Sequence, residues 1–281
     1  MLRFALALAL AASAAAALVP PSAQEAVAEG DLHYARRAQG AHGAVADPSE
    51  IEAAVQQYRR ALALDPASLP AAIGLLRALF FRGGFCAESD AVQKATFEEA
   101  KRAADDAWRR LEARALGQGS RLDKLRRVPG AAPLAFWSAV AWGQWSLDHK
   151  LAAAWQGAAA RIRDLAEIAI TIDSSYEGGS PYLILGRLHA ESPKLVFLTS
   201  WISRRKALEN LRRAHQISPA NTVTEYFLAD AILVFEPSSR EEALRLLQAC
   251  ASQEPRPEYL VEDRHYAEEA RARLADAALR P

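Results

Sequence analysis

Residues 182–219 bring a guanidinium, an imidazole and several aromatic rings close together in sequence: Tyr182, Arg187 and His189, then Phe197 and Trp201. A guanidinium presents a planar fork that matches a carboxylate. Arg187 beside His189 and an apolar stretch therefore reads as a contact for the acid group of a small organic molecule. A plainer explanation covers the same residues, with Arg187 a surface charge and His189 filling a helix-interface position normally taken by tyrosine. More aromatic material comes from residues 134–149, LAFWSAVAWGQWSLDH, where Phe136, Trp137, Trp142 and Trp145 wrap around more of a helix than one narrow seam requires. Trp142 and Trp145 share a face, and a helix of this kind is either central in the fold or lines a cavity.

Catalytic chemistry finds little footing in the chain. The histidines at 33, 42, 149, 189, 215 and 265 form no HExxH, no closely spaced ligand pair and no His/Cys cluster. There is no glycine-rich phosphate loop and no GxSxG nucleophile elbow. Asp105, Asp106, Asp164 and Glu167 fall on polar helical faces, where solvation accounts for them. The expectation is a non-enzymatic protein with no catalytic residue, metal or cofactor.

The elements that must position Arg187 and its neighbours are helical. Tyr182, Leu185, Gly186 and His189 have the spacing of one helical face, and Ala207, Leu211, Ala214 and Pro219 close the same block. Small residues stand where paired helices must touch, and proline stops the second helix, which is the two-helix pattern of a tetratricopeptide unit. Ala54, Tyr58, Ala61 and Pro66 repeat that spacing, as do Ala243, Leu247, Cys250 and Pro255. Ala100, Ala104 and Ala107 fit without a closing proline, and Ala166, Ala169 and Asp173 fit with Ser174 in its place. The expected fold is all-α, a tetratricopeptide-like solenoid of helical hairpins with irregular spacers. The link from His189 to Ala207 is longer than a plain repeat needs and carries Pro193, Leu195, Val196, Phe197, Leu198 and Trp201.

Along the chain, helices are expected over about 25–39, from a Ser49 cap to Leu64, over 68–81, 91–116, 134–149 and 151–173, from Pro181, over 222–235, from a Ser238 or Ser239 cap, and over 257–278. Residues 117–133, with three glycines, two prolines and the cluster Arg121, Lys124, Arg126 and Arg127, mark a break between sub-blocks. That cluster is either an anion or partner contact or a solvated short helix. The last helix carries Glu258, Glu262, Asp263, Arg264, Glu268, Glu269, Arg271 and Arg273 and reads as a polar terminal cap. The leucines Leu75, Leu76, Leu79, Leu185 and Leu188, with Trp142, suggest an enclosed apolar site on the first helices of the pairs.

Residues 1–23 read as an export signal, with Arg3 as an early charge, an apolar Ala-rich core and a small-residue exit, leaving 24–281 as one all-helical domain. The signal contains no cysteine for a lipid anchor, so the expectation is a soluble periplasmic protein. The chain of 281 residues carries 34 basic and 34 acidic side chains, which gives no electrostatic case for nucleic acid or an anionic membrane. Cys86 and Cys250 lie in different repeats, so burial explains them better than a disulfide, although export would permit one.

Taken together, the signal, the imperfect helix pairs and the block GGSPYLILGRLHAESP followed by RKALENLRRAHQISP resemble the TRAP-transporter-associated TatT family. That resemblance implies a periplasmic all-helical protein, a trimer with a channel through each protomer, that partners the solute-binding subunit of a TRAP transporter and helps deliver a small apolar or amphipathic organic acid. It is carried residue by residue by Tyr182, Gly186, Arg187, His189 and Pro193. The alternative function is a general exported tetratricopeptide scaffold for protein–protein interaction in envelope assembly.

Overall fold

Apolar residues at helical spacing, small residues between them and a capping side chain before most runs dictate a chain of helices, and the structure is all-α. The computed structural model describes residues 22–86, 89–192 and 199–279. Most of the expected export signal, and the link residues 193–198 with Pro193 and Phe197, lie outside the described residues. In chain order the helices are α1 (Ala23–Ala35), α2 (Pro48–Leu64), α3 (Leu69–Phe81), α4 (Asp90–Arg114), α5 (Arg121–Arg126), α6 (Ala131–Asp148), α7 (Lys150–Trp155), α8 (Ala158–Ile172), α9 (Tyr176–Glu191), α10 (Arg204–Ile217), α11 (Thr222–Phe235), α12 (Arg240–Ser252) and α13 (Leu260–Leu279). They pack as a helical bundle in which α1 lies on α2, α3 on α4, α6 on α8, α9 on α10, and α11 on α12, with α13 against α12 and α11.

The recurring spacing is the seam of these pairs. Ala54, Tyr58 and Ala61 on α2, Ala207, Leu211 and Ala214 on α10, and Ala243, Leu247 and Cys250 on α12 are all buried. Close approach needs glycine opposite the large member. A Cβ on Gly186 of α9 would stand 2.5 Å from Cγ of Leu211, and one on Gly30 of α1 would stand 2.7 Å from Cε1 of Tyr58. Among the described residues, two large apolar cores result, with a small third cluster of Ala26, Ala61 and Ala71. The larger runs from α1 to α9 around Leu79, Trp108, Leu111, Leu134 and Leu165, and the second joins α9 to α13 around Leu211, Leu228, Ile232 and Leu247. Cys86 belongs to the first and Cys250 to the second, and both are free thiols. The Cys250 thiol donates to the carbonyls of Thr222 and Tyr266, and burial pushes it up to about 12.

Several boundaries differ from the sequence reading for local reasons. Helix α2 is capped by Asp47, whose Oδ1 accepts from the Ser49 amide, because Pro48 has the fixed φ suited to the first helical position. The expected helix over 151–173 is two helices, α7 and α8, broken at the left-handed Gly157. The basic cluster of the 117–133 break is a short capped helix: Arg121 pairs with Glu112, while Arg126 and Arg127 donate to the carbonyls of Thr171 and Gln118. Among the described residues, the stretch Leu69–Cys86 is long and apolar enough to cross a membrane by length and composition, yet 67% of it is buried in the protein. That burial marks it as a core helix.

Helix α13 departs furthest from its sequence reading. Glu262 and Asp263, read as part of an outer polar face, are buried. Asp263 accepts two bonds from the Arg256 guanidinium, at 2.8 and 2.6 Å, and one from the Thr222 hydroxyl at 2.6 Å. Glu262 accepts from Arg37, just beyond the end of α1, at 2.9 Å. Arg37 also donates to the carbonyl of Glu258, and the ring of His265 meets that of Phe85 edge-on at 5.5 Å. The last helix is thereby tied to the first hairpins.

Candidate functional site

Where α13 returns to α1, the inner faces of α3, α6, α7, α8, α9 and α13 line a half-open cavity of about 630 Å³. Pockets that hold small organic ligands span roughly 300–1,000 Å³. One wall is apolar, with Ala139 and Val140 from α6, Ala153 from α7, Ala158 and Ile162 from α8, and Leu188 from α9. Phe80, Phe136 and Trp137 add rings, with Phe80 and Trp137 centroids 5.8 Å apart. The Trp137 indole N–H donates to the Tyr176 hydroxyl at 3.1 Å, so the ring is held in one orientation.

The other lining residues include a polar group built from distant parts of the chain: Tyr34, Arg77, Glu177, Tyr259 and Glu262. The guanidinium carbons of Arg77 and Arg37 lie over the Tyr34 ring, 4.4 and 4.5 Å from its centroid. Burial raises the Tyr34 phenol pKa, and the two arginines only partly offset this, so Tyr34 stays a neutral hydroxyl. The Tyr259 hydroxyl donates to Glu177 Oε2 at 2.9 Å, and burial with that carboxylate keeps Tyr259 protonated. Glu177 adopts φ 47, ψ 44, a left-handed conformation that costs a residue with a Cβ on the order of 1 kcal/mol. Gly178 and Gly179 continue the left-handed turn, and Gly179 has no room for a Cβ against Ile217.

Two atoms in this group lack partners. Among the described residues, Arg77 Nε and Glu262 Oε2 are buried without a hydrogen bond. Buried polar atoms are nearly always satisfied, so two orphans on residues that line one cavity single out Arg77 and Glu262 as its ligand-facing candidates. Burial also pushes the Glu262 carboxyl above its ordinary range, against the pull of Arg37.

The residues singled out in the sequence are dispersed. Arg187 lines the cavity, but its fork is occupied: Nε and Nη2 donate to the two oxygens of Glu191 at 2.7 and 3.2 Å, and its guanidinium carbon sits 4.0 Å from the centroid of the Phe227 ring. Trp142 and Trp145 point away from the cavity toward α4. Trp142 donates to Asp105 Oδ1 at 2.9 Å, Lys101 Nζ stands 4.0 Å from the centroid of its ring, and Trp145 stacks on His149. His189 is buried in the α9–α10 seam, where its Nδ1 accepts from the Ser203 amide at 3.3 Å and its ring meets Trp201 edge-on. Burial, helped by Lys206 and Arg163, lowers its pKa, which suits a neutral packing ring. Trp201 lies under the Arg163 guanidinium, and Tyr182 packs against the second core. Of the expected apolar lining, Leu188 faces the cavity, whereas Leu75, Leu76, Leu79 and Leu185 are in the packed core.

The polar group itself escaped the sequence reading. One signal was available, since Arg77 is the single charge in the apolar run LPAAIGLLRALFF of α3. A lone arginine on a helix buried almost all round needs a partner or a function. Among the described residues, no group of three or more histidines, cysteines or carboxylates is placed to hold a metal ion.

Compared with protein-family models and with curated proteins, the chain matches none.

Proposed function

We propose that the chain is a non-enzymatic periplasmic accessory protein of a TRAP-type transporter, which partners the solute-binding subunit and holds a small amphipathic organic acid in the cavity between α3, α6 and α13. In this reading the bundle is a tetratricopeptide-like solenoid of helical hairpins with irregular spacers, exported by the signal in residues 1–23, soluble, and assembled as a trimer. The observation that carries the ligand half is Arg77. Its guanidinium lines a cavity with a long apolar wall, keeps an unpartnered Nε, and forms no ion pair among the described residues. A carboxylate with an apolar body satisfies that donor and covers that wall together. Arg187, the residue suggested by sequence, is the weaker candidate because Glu191 already fills its fork. The partner half rests on the resemblance of the 178–219 block.

The scaffold alternative asks for an open groove that grips a peptide along successive first helices. Glu262, tied to Arg37 beside the first hairpin, lines the cavity with a buried polar atom left over, which favours a small ligand instead.

The test is mass spectrometry of the native protein with whatever co-purifies from an envelope extract. Recovery of a solute-binding subunit, or of a bound organic acid that an Arg77→Met variant fails to retain, is the expected result. An empty protein recovered with assembly factors or cell-wall enzymes would overturn the proposal in favour of the scaffold.

A further inference from the structure

We infer that the ligand is a zwitterionic α-amino acid with a long apolar side chain, its carboxylate on Arg77 and its ammonium on Glu262. This deepens the proposed reading and rests on it for the carboxylate. The amino group rests on a separate observation, the unpartnered Oε2 of Glu262.

Arg77 Nε is a donor and Glu262 Oε2 an acceptor, so a ligand that satisfies both must bring one acceptor and one donor. Both residues border Tyr34. Arg77 stacks on its ring, and Arg37, stacked on the same ring, donates to Glu262 Oε1 at 2.9 Å. Glu262 is therefore a carboxylate with one oxygen anchored and the other left over. An oriented, half-satisfied carboxylate is what an ammonium recognises.

Charge balance points the same way. The cavity is lined by Arg77, Arg187 and Arg256 against Glu177, Glu191 and Glu262, with an exposed Lys150 at the start of α7. Behind this lining, Arg37 pairs with Glu262 and the buried Asp263 pairs with Arg256, so these two add no net charge. Apart from the solvent-exposed Lys150 these charges cancel, so a simple carboxylate would add a net negative charge to the buried part of the lining, and an alkylamine a positive one. An α-hydroxy acid supplies the donor but keeps the net negative charge. An amino acid supplies both groups and adds no net charge, while its side chain reaches the wall of Val140, Ala158, Ile162 and Leu188.

The test is calorimetric titration of the purified protein at neutral pH with α-aminooctanoate, α-hydroxyoctanoate, octanoate and octylamine, which share one tail. The expected result is α-aminooctanoate at least about tenfold tighter than each of the others, a gap of about 1.4 kcal/mol or more. In a Glu262→Gln variant, whose amide oxygen still accepts from Arg37, the advantage over octanoate should shrink to about threefold or less. If that variant does not fold, the ranking on the unaltered protein stands alone as the test. Octanoate or α-hydroxyoctanoate binding as tightly as the amino acid overturns this inference and leaves the organic-acid proposal intact. Binding of octylamine alone, or of none of the four, overturns both.

Discussion

Arg37 and Glu262 form a buried ion pair, with Nη2 2.9 Å from Oε1, across 225 positions of sequence. With the Arg37–Glu258 carbonyl bond and the Phe85–His265 contact, it fastens the last helix to the first hairpins beside the polar part of the cavity. Breaking a buried pair from one side leaves an uncompensated charge and costs about 3–5 kcal/mol, whereas replacing both partners by apolar residues is often neutral. Arg37→Met should therefore lower stability by about 3 kcal/mol in urea denaturation, and the Arg37→Met/Glu262→Met double variant should recover most of the loss. Equal losses in the two would show that the pair does not act as a unit.

Glu225 on α11 makes stability depend on pH. Its side chain is buried, Oε2 has no partner among the described residues, and burial, opposed by Arg256 and reinforced by Asp263, raises its pKa from 4.5 to about 7. Folding therefore disfavours its ionised form. Its contribution is most favourable below about pH 4.5, is lost as the pH rises through the window from 4.5 to about 7, and is level above that. The loss is on the order of 2–3 kcal/mol. Glu225→Gln should accordingly be the more stable protein at pH ~8, with the difference gone near pH ~4.5. A difference of the same size at both would remove the titration of Glu225 as its cause.

Gly186 faces Leu211 too closely for a side chain. Gly186→Ala should push α9 from α10 and destabilise by about 1–3 kcal/mol, despite the better helix propensity of alanine. A Gly186→Ala/Leu211→Ala double variant should relieve the clash but open a void in the second core. Thermal denaturation of the two checks this, and a single variant more stable than the parent would contradict the close seam.

Trp142 and Trp137 lie on one helix but play opposite parts. Trp142 packs on α4 through Asp105 and Lys101, so Trp142→Ala should cost about 3–5 kcal/mol without altering ligand affinity in the molecules that remain folded. Trp137 borders the cavity and is oriented by Tyr176, so Trp137→Phe should change affinity by several-fold with a smaller stability loss. Fluorescence titration alongside urea denaturation separates the two effects.

Much of this architecture is legible in the chain because helix pairing is a local matter. Period, capping residues and small residues at fixed offsets identify the α2, α10 and α12 seams, whose three spaced members on each helix are buried while the closing prolines are not. The same locality explains where the reading stops. A helical period places Trp142, Leu75 and Leu185 each on an apolar face of its own helix, but a packing face and a ligand face have the same period. Which apolar surface is left without a neighbouring helix depends on how successive pairs are stacked. The polar group is further from view: Tyr34, Arg77, Glu177, Tyr259 and Glu262 come from α1, α3, α9 and the approach to and start of α13, and no spacing rule links them. Glu262 and Asp263 look like surface charges in an acidic and basic helix. They are buried because Arg37 and Arg256 reach them in space, and a charge can leave water only where its partner is waiting. Local pattern sets the helices and their seams, and the return of the last helix onto the first makes the cavity.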